Sequence, residues 1–399
     1  MAEIGKRVRL GMIGGGEGAF IGQVHRQAAA LDGHLELVCG AFSRDGQNNL
    51  RTGEALHLDP SRTYASWQAL IEGERALPAG QRMEVLAIVT PNHLHAPIAE
   101  AALEAGFHVF SEKPAALSLA EVRGLAKTLA GTDRLYGLAH SYQGYPMVWQ
   151  AREMVRAGAI GRLRKLWVEY PQGWLSQDLA AEGNKQASWR GAPEQAGPSG
   201  CMGDIGVHAF TLAEFVSWQR LERVCASLGS HVAGRQLDDD GAVLFRTDGG
   251  ASGLLVASQV CAGEENALKL RLYGDEGGLE WRQEEPNSLI HRPLGEPMRV
   301  LRAGVDRHGL CDAARRRLRL PAGHPEGYLE ALANLYVDFA RAVRSGATGH
   351  DAPGVPGIDA GLRAMAFIET VLENDRGDQK WTPLVVDGTQ PPVDRTRKE

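Results

Sequence analysis

The sequence predicts an α/β protein of two domains. The first is a parallel sheet with helices on both faces, and the second is an α+β domain with a large, mostly antiparallel open sheet. The chain has 399 residues, which exceeds the usual size of a domain built on a single hydrophobic core. Apolar runs alternate with helix-period stretches early in the chain, whereas strand-like segments follow one another after about residue 160. We therefore expect a domain over residues 1–145 and another over 146–399, with a C-terminal tail that can return to the first.

Short apolar runs in the first domain are predicted to be buried parallel strands. They cover residues 8–13, 35–42, 83–89, 107–110 and 135–139. A continuous apolar run is typical of a strand that is covered on both faces. Helix-period patterns lie between these runs, at Val24, Ala28 and Leu31 and again over residues 98–105. The alternation predicts one parallel sheet between two layers of helices.

The second domain is expected to begin with a helix over residues 147–156 that ends at Gly158. Strand-like segments then cover residues 163–170, 223–228, 242–246, 253–259, 267–273 and 279–282. Several turns between them are rich in glycine, which favours antiparallel neighbours. Predicted helices over residues 327–344 and 359–374 close the domain, and the proline-rich tail from Pro383 is expected to extend over the surface.

The composition argues against nucleic-acid and membrane partners. The formal net charge is -6, from 43 basic and 49 acidic residues, so the chain has no general attraction to polyanions. The basic run over residues 315–319 is short and is interpreted as a solvated face. No apolar signal region precedes the first strand, and no run of eighteen apolar residues is present. Five scattered cysteines without Cys-x-x-Cys spacing favour reduced thiols in a cytoplasmic protein and no metal site.

A glycine-rich segment directly follows the first predicted strand, Gly14-Gly15-Gly16-Glu17-Gly18-Ala19-Phe20-Ile21-Gly22. Glycines there permit a tight turn and let backbone N–H groups approach a pyrophosphate at a helix N-terminus. The pattern G-x-G-x-x-A is met by Gly14, Gly16 and Ala19, or, with a three-residue insertion, the third glycine is Gly22. The segment predicts a Rossmann dinucleotide-binding domain, with Gly14, Gly16, Phe20 and Ile21 at the cofactor.

The end of the second predicted strand bears on the choice of cofactor. An acidic residue at this place usually binds the ribose hydroxyls of NAD, whereas here Ser43 and Arg44 occupy it. Arg44 is suited to the 2′-phosphate of NADP, and the neighbouring Asp45 is suited to the ribose. The sequence leaves NAD and NADP both open.

Three more motifs follow predicted elements: Thr90-Pro91-Asn92-His93-Leu94-His95, Ser111-Glu112-Lys113-Pro114 and Gly203-Asp204-Ile205-Gly206-Val207-His208. Together with Gly158-Ala159-Ile160-Gly161 and Tyr273-Gly274-Asp275-Glu276-Gly277, they make nearly the whole chain resemble the glucose–fructose oxidoreductase, inositol dehydrogenase and rhizopine-catabolism family, Gfo/Idh/MocA. The longer glycine turn and the long loop over residues 172–190 resemble the subgroup that includes levoglucosan dehydrogenase.

The resemblance implies an NAD(P)-dependent oxidoreductase that acts on a secondary hydroxyl or ketone of a sugar, anhydrosugar or cyclic polyol. Lys113, Asp204 and His208 match the family's catalytic residues. An ammonium group can stabilise charge on the reacting oxygen, and a histidine supported by an aspartate can act as general base. Asp204 and His208 are four residues apart, which places them on one face if the segment is helical. A purely structural i,i+4 pair is the alternative.

Further residues match the family's binding positions. Those expected to line the cofactor are Thr90, Asn92, His95, Glu112, Lys113 and His140. Lys113, Asp204 and His208 are also expected to contact substrate, as is Tyr142, in a segment that borders the nicotinamide in the family. Sugars bind through hydrogen-bonding side chains and an aromatic surface. The polar loop before Asp204, with Lys185, Trp189 and Arg190, is therefore a further candidate substrate wall, and His324 and Tyr328 are expected at the same cleft. Tyr142 stands where many relatives carry arginine, so no charged role is carried over to it. Pro114 is expected to follow a cis peptide. For the loop and aromatic residues, a surface or capping role is equally consistent.

Other functions and the assembly state also follow from the sequence as expectations. An inactive dinucleotide-binding regulator, and a hydrolase or epimerase that oxidises its substrate transiently, remain as alternatives. The second domain is expected to bind substrate and to form a homodimer or homotetramer, because residues 254–260 are apolar on both sides of the strand and need cover on both. A fold-back of the loop over residues 172–197 is the alternative cover.

Overall fold

The computed structural model describes residues 6–177, 189, 192–347 and 350–386. The chain divides into two compact units. The first comprises Met1–Pro146, Gly304–His308 and Asp312–Gly361, and the second comprises Met147–Ala303, Gly309–Cys311 and Leu362–Glu399. The sequence predicted a second domain over residues 146–399, from which only the C-terminal tail was expected to return to the first. The structure differs by returning most of residues 304–361 to the first unit.

Helices and strands alternate in the first unit, and strands dominate the second. In the described residues the helices are α1 (Phe20–Leu31), α2 (Gly46–Ala55), α3 (Trp67–Ala76), α4 (His95–Glu104), α5 (Leu119–Ala130), α6 (Pro146–Arg156), α7 (Pro193–Ala196), α8 (Val207–Ser217), α9 (Asp312–Arg315), α10 (Tyr328–Arg344) and α11 (Ile358–Arg376). The strands there are β1 (Val8–Gly14), β2 (Leu35–Ala41), β3 (Val85–Val89), β4 (His108–Ser111), β5 (Tyr136–Leu138), β6 (Leu163–Pro171), β7 (Leu221–Gly229), β8 (Asp240–Thr247), β9 (Ser252–Ser258), β10 (Lys269–Gly274), β11 (Gly277–Arg282), β12 (Ser288–Pro293), β13 (Arg299–Arg302) and β14 (Thr382–Pro383).

The first unit is built on a parallel sheet, as the apolar runs predict. Its described strands lie in the order β2-β1-β3-β4-β5. Every residue of β3 is buried, because helices cover both of its faces. The chain reverses its direction of winding between β1 and β3, so the carboxyl ends of these strands open a crevice where such sheets bind ligands.

Helix α10 belongs to the first unit because of its apolar face. Leu332, Leu335, Tyr336 and Phe339 are buried in one cluster with residues of β1 and α1. The amphipathic pattern of residues 327–344 correctly predicted the helix but did not show which sheet it covers. Burial of this face explains why the chain returns to the first unit.

The basic run over residues 315–319 is partly buried, so its interpretation as a solvated face is wrong. Arg317 is 2% exposed and pairs with Asp338 of α10. Arg319 pairs with Asp32 and, at 3.2 Å, with Glu326. Buried arginines need such partners, and here the pairs attach the segment before α10 to the rest of the unit.

The second unit is built on a nine-stranded sheet in the order β13-β12-β11-β10-β6-β9-β8-β7-β14, counted over the described residues. The β6–β9 pair is parallel, and the other neighbours are antiparallel. Helix α8 packs on β6, β9 and β10, and its Phe210 stacks on Phe367 of α11 with ring centroids 4.4 Å apart. The predicted large, mostly antiparallel sheet is confirmed.

The last described residues form a sheet edge. Thr382 and Pro383 pair with Val224 and Arg223 of β7. The prediction of a surface extension from Pro383 is therefore wrong for the residues up to Val386 that the structure describes, because Pro383 is paired with β7. A proline is tolerated here because an edge strand has no further neighbour that needs its N–H. Of the described helices, none is long and apolar enough to cross a membrane.

Candidate active site

The turn after β1 has the backbone that its glycines predict. Gly14 and Gly15 have φ values of 87° and 75°, in the left-handed region that favours glycine. A Cβ on Gly22 would lie 2.2 Å from the Cα of Gly15, so only glycine lets α1 approach the turn this closely. The reading with a three-residue insertion, in which Gly22 is the third glycine, is therefore the one that the backbone supports.

The N-terminus of α1 fits an anionic ligand. Ala19 is its N-cap, and within the described residues no side chain caps the helix and no acidic residue lies in its first turn. The first N–H groups of a helix have no partner within the helix, and its dipole favours negative charge there. Phe20, predicted at the cofactor, is 68% exposed, and Ile21 follows it in the same turn. These features fit the pyrophosphate of a dinucleotide.

The insertion in the turn is attached to α2. The backbone N–H of Glu17 donates to Asn48 Oδ1 at 3.0 Å and to Thr52 Oγ1 at 3.1 Å, and Asn48 Nδ2 donates back to the Glu17 carbonyl at 3.0 Å. Asn48 also lies over Gly16, where a Cβ would come within 2.4 Å of its Oδ1. Sequence reasoning missed Asn48, because nothing near it in the chain marks this contact.

The residues after β2 have two different roles: Asp45 caps the next helix, whereas Arg44 is exposed. Asp45 caps α2, accepting from the N–H groups of Gln47 at 2.9 Å and Asn48 at 3.2 Å. Ser43 Oγ accepts from the N–H of Asp45 at 3.1 Å. Arg44 is exposed and forms no ion pair with any residue that the structure describes. The carboxylate near the expected ribose site is thus engaged by backbone, while the guanidinium is not.

His95 joins the loops after β3 and β4. Its Nδ1 is 2.7 Å from the carbonyl of Pro114 and its Nε2 is 2.8 Å from the carbonyl of Thr90. Burial lowers the pKa of His95 despite these two carbonyls. Both ring nitrogens are occupied, so this geometry supports a positioning role for His95 and gives no sign of direct cofactor contact.

The loop after β3 also holds an unsatisfied polar atom. The Thr90 hydroxyl is buried and has no hydrogen-bond partner among the described residues. Asn92 begins the short 3-10 turn Asn92–Leu94 that leads into α4. A buried hydroxyl without a partner is costly, so its position at the carboxyl end of β3 fits a polar group of a bound cofactor.

The Glu112–Lys113–Pro114 loop follows β4, and its Lys113–Pro114 peptide is cis, as expected. The N–H of Lys113 donates to Glu112 Oε2 at 3.0 Å, and Glu112 Oε1 is 2.8 Å from His25 Nε2. Burial by itself would raise the pKa of Glu112. The hydrogen bond and charge of His25, with the charges of Lys113 and His95, bring that pKa below its usual value. Glu112 is therefore a carboxylate that fixes the backbone of its neighbour.

His140 follows β5 and is buried. Burial and the charge of Lys113 lower the pKa of His140 to about 3. The same charge also contributes to the lowered pKa of His95. Lys113 itself is half-buried. Two buried imidazoles, whose pKa values burial lowers, therefore lie with Lys113 at the carboxyl edge of the sheet.

Tyr142 and Tyr328, two predicted substrate residues, lie together in the first unit. Their ring centroids are 6.1 Å apart, and Tyr142 stacks on Tyr145 at 6.3 Å. His324 is exposed, and its ring makes a local contact of 3.3 Å with the Pro321 carbonyl.

The loop before Asp204 held three further predicted substrate residues. Trp189 is half-buried. Lys185 and Arg190 lie outside the described residues. This predicted substrate wall therefore stays a prediction.

In the second unit, Asp204 and His208 lie on one helical run, one turn apart. Asp204 is in the π-helical turn Met202–Gly206, and His208 is the second residue of α8. Gln259 donates to Asp204 Oδ2 at 3.0 Å, and His208 is 8% exposed. The spacing correctly predicted a helical arrangement, although its first turn is wider than an α-helix.

Asp238 caps the turn that carries Asp204. Its Oδ1 accepts from Ser199 Oγ and the Gly200 N–H, both at 2.8 Å, and its Oδ2 accepts from the Met202 N–H at 2.7 Å. Burial raises the pKa of Asp238 against these bonds. The run Asp238-Asp239-Asp240 before β8 was the signal that sequence reasoning passed over.

Comparison with known proteins gives the same assignment for both parts of the chain. Residues 8–140 match the family model described as an oxidoreductase family with an NAD-binding Rossmann fold. Residues 148–280 match the model of the GFO/IDH/MocA C-terminal domain.

Two relatives and one solved structure are informative. An uncharacterized oxidoreductase of Bacillus subtilis, YfiI, is 31% identical over 387 residues, which covers 95% of this chain and 97% of that protein. Levoglucosan dehydrogenase of Pseudarthrobacter phenanthrenivorans is 27% identical over 312 residues, 71% of this chain and 76% of that protein. An inositol dehydrogenase homolog from Azotobacter vinelandii, complexed with NADH and myo-inositol, has a TM-score of 0.87 at 33% identity and covers 95% of this chain and 98% of that chain.

These matches confirm the resemblance read from the motifs, including the likeness to levoglucosan dehydrogenase. They agree with the glycine turn, the parallel sheet and the open second sheet. The chain belongs to the Gfo/Idh/MocA family and is an oxidoreductase with an NAD-binding Rossmann domain.

Proposed function

We propose that this oxidoreductase acts on a secondary hydroxyl or ketone of a sugar, anhydrosugar or cyclic polyol. The observation that carries the proposal is Lys113, half-buried at the carboxyl end of β4 with His95 and His140, whose pKa values its charge helps to lower. Because burial disfavours charge on both imidazoles, Lys113 is the group suited to supply positive charge there. An ammonium group in such surroundings stabilises negative charge on a substrate oxygen more strongly than it would in water.

Oxidation of an alcohol removes a hydride from carbon and a proton from oxygen, and it leaves a carbonyl group. A bound nicotinamide supplies the hydride acceptor. In the proposal, Lys113 donates a hydrogen bond to the reacting oxygen, His208 takes its proton, and Asp204 orients His208. The same groups run the reverse reaction, with His208 returning the proton.

The cofactor is held by residues that fit it. The open N–H groups of α1 at Phe20 and Ile21 receive the pyrophosphate, with Gly14 and Gly16 giving it room. Thr90, Asn92 and Glu112 lie at the adjoining strand ends, where we expect the nicotinamide half. Ser43 and Arg44 remain the residues that decide between NAD and NADP.

The substrate class is supported by the relatives. One relative is a levoglucosan dehydrogenase, and a solved homolog is complexed with myo-inositol. Levoglucosan is an anhydrosugar and myo-inositol a cyclic polyol, so both are uncharged rings that carry secondary hydroxyls. Tyr142 is buried against Tyr145 and Tyr328, and Tyr328 is partly exposed. Sugars stack on aromatic rings, and we retain both residues as candidate substrate residues.

A substrate screen tests this function. Purified protein is incubated with polyols, sugars and anhydrosugars, each with NAD and with NADP, and the absorbance of reduced nicotinamide is followed. We expect net reduction with at least one neutral ring alcohol, and none with the Lys113→Met variant, which keeps the size of the side chain but not its charge. A substrate that is consumed without net reduction would instead favour the transient-oxidation alternative.

We also propose a homodimer or homotetramer formed through the second unit, and a cytoplasmic location. The outer face of its sheet carries a cross-strand row of apolar side chains, in which Leu254 pairs with Trp167 on β6 and Leu244 on β8. Trp167 is 37% and Leu244 47% exposed in the single chain. Such a row favours cover by a second copy.

A further inference from the structure

A buried hydrogen-bonded chain runs from α10 through α1 to the loop after β4. The hydroxyl of Tyr336 is 2.7 Å from His25 Nδ1, and His25 Nε2 is 2.8 Å from Glu112 Oε1. The second oxygen of Glu112 accepts from the N–H of Lys113 at 3.0 Å. Helices α10 and α1 of the first unit are thereby joined, through Glu112, to the backbone of Lys113.

The carboxylate fixes the direction of one bond in this chain. A carboxylate only accepts, so His25 Nε2 must carry a proton and donate to Glu112. The Tyr336 hydroxyl, which can donate or accept, is the partner of the other ring nitrogen, Nδ1. Both ring nitrogens of His25 are thereby hydrogen-bonded, which fixes the orientation of the ring.

The surroundings of His25 exclude water. The side chain of His25 is fully buried. Its ring packs edge-on against Phe110 at 6.2 Å and against Tyr336 at 5.7 Å between centroids. Burying an imidazole costs desolvation free energy unless it is hydrogen-bonded, and an apolar side chain in the same place would not carry that cost. What the imidazole adds is a donor aimed at Glu112.

We propose that His25, oriented by Tyr336, is a positioning residue for Lys113 and acts through the Glu112 carboxylate. The inference rests on the proposed function insofar as Lys113 holds the substrate oxygen. Displacing a reacting group by about 1 Å can cost about a hundredfold in rate. A fixed carboxylate that receives the Lys113 N–H keeps the backbone of Lys113 in one place through turnover.

Two substitutions at the same position test the donor. His25→Leu removes it, whereas His25→Gln places an amide N–H near the position of Nε2. We expect His25→Leu to lower kcat by about tenfold or more, with the dissociation constant for NADH within about threefold of wild type. His25→Gln should recover most of kcat. His291→Leu, at a buried histidine of the second unit with a 3.2 Å contact to the Ala159 carbonyl, is the matched control and should leave kcat near wild type.

The pH profile separates positioning from stability. In His25→Leu the Glu112 carboxyl keeps its burial but loses its main partner, so we expect its pKa to rise. The acid limb that Glu112 contributes to kcat/KM, which lies below the ionisation of the histidine base, should then move to higher pH. In His25→Gln the limb should stay near its wild-type position. The titratable groups that face Glu112 from the packed elements are His25, His95, Lys113, His140, Tyr328 and Tyr336.

Three results would overturn the proposal. The first is a His25→Leu variant with kcat within about twofold of wild type. The second is an acid limb that does not move, and the third is an equal loss of kcat in His25→Leu and His25→Gln. If His25→Leu shows no cooperative thermal transition, Tyr336→Phe carries the test, because it removes only the hydroxyl. Its expected result is a kcat about threefold lower. An unchanged kcat in Tyr336→Phe would then overturn the proposal.

One measurement does not depend on turnover. In protein labelled with 15N-histidine, the His25 signals are those lost in His25→Gln. A ring that carries a proton on Nε2 supports the chain of bonds, and a ring protonated on Nδ1 alone overturns it. Should the wild type oxidise no sugar or polyol, the proposed function fails while this spectrum still decides the arrangement at His25.

Discussion

Glu112 shows how burial and partners compete at a single residue. Burial favours the protonated carboxyl, yet His25, Lys113 and His95 together keep its pKa below the usual value. The Glu-Lys-Pro motif predicted a functional loop here. It did not reveal His25, because this partner lies 87 residues earlier in the chain and only the fold brings the two together.

Removing the Lys113 ammonium should abolish most turnover. For Lys113→Ala we expect kcat to fall by about a hundredfold or more, because a preorganised charge at the reacting oxygen is lost. The affinity for NADH should stay close to wild type in a fluorescence titration. Lys127→Ala, at an exposed lysine of α5, is the control. Near-normal turnover of Lys113→Ala would contradict the role given to this residue.

His208 should account for one ionisation in the pH profile. A general base must be uncharged to accept a proton, so kcat/KM falls as pH falls through the pKa of that base. We expect His208→Ala to lower the rate and to remove this limb, whereas His308→Ala, at an exposed histidine, should retain it. A limb that persists in His208→Ala would assign the base elsewhere.

Cofactor choice should depend on Arg44. Its guanidinium is exposed and makes no ion pair within the described part of the chain, so it is available to a 2′-phosphate. We expect Arg44→Ala to weaken NADP by about tenfold and NAD by less than about twofold, since one charge-assisted hydrogen bond is lost. Titration of both cofactors measures this, with Arg75→Ala on α3 as control. Equal weakening, or a strong wild-type preference for NAD, would speak against the role.

At the scale of elements, periodicity found the helices but not their partners. The patterns over residues 327–344 and 359–374 predicted two helices within a few residues of their observed ends. Helices α2 and α3 were not predicted, because polar residues such as Asn49 and Glu74 interrupt their buried faces. Helix α5 was also missed, although Leu119, Val122, Leu125 and Leu129 form a regular apolar face. The turn that carries Asp204 is π-helical, and Asp238, which binds the Met202 N–H, lies 36 residues beyond it, just before β8.

Asp238 should therefore stabilise the turn that holds Asp204. In Asp238→Asn one acceptor becomes a donor that faces the N–H of Met202. We expect the free energy of unfolding to fall by about 1–3 kcal/mol, the usual cost of an unsatisfied buried group. Urea denaturation, followed through the unfolding transition of the second unit, measures this free energy. Asp240→Asn, at the more exposed neighbour, should change stability by no more than about 0.5 kcal/mol. An equal effect of the two variants would remove the special role of Asp238.

At the scale of the whole molecule, the sequence predicted two domains and both sheet types, because long apolar runs and glycine turns are local signals. It did not predict that residues 312–361 rejoin the first unit, since contacts such as that between Arg319 and Asp32 span 287 residues. Assembly is likewise a long-range property, and the row that pairs Trp167, Leu254 and Leu244 is visible only once the strands are in register.

Light scattering should report an oligomer at micromolar concentration. We expect a mass of two or four chains, because a second copy would cover the apolar row on the outer sheet face. Leu244→Arg should shift the mass toward one chain without loss of the helical circular dichroism signal, and Leu294→Arg, at a 76% exposed residue, is the control. A wild-type mass near 43.0 kDa would refute assembly through this face.

The return of α10 to the first unit has a consequence for how the chain is made. During synthesis, residues up to Pro146 can leave the ribosome with all five strands of the described parallel sheet, yet the surface of α1 that packs on α10 stays bare. The hydroxyl that meets His25 arrives only with residue 336. The nucleotide-binding half must therefore wait, with apolar surface uncovered, until most of the second unit has been translated.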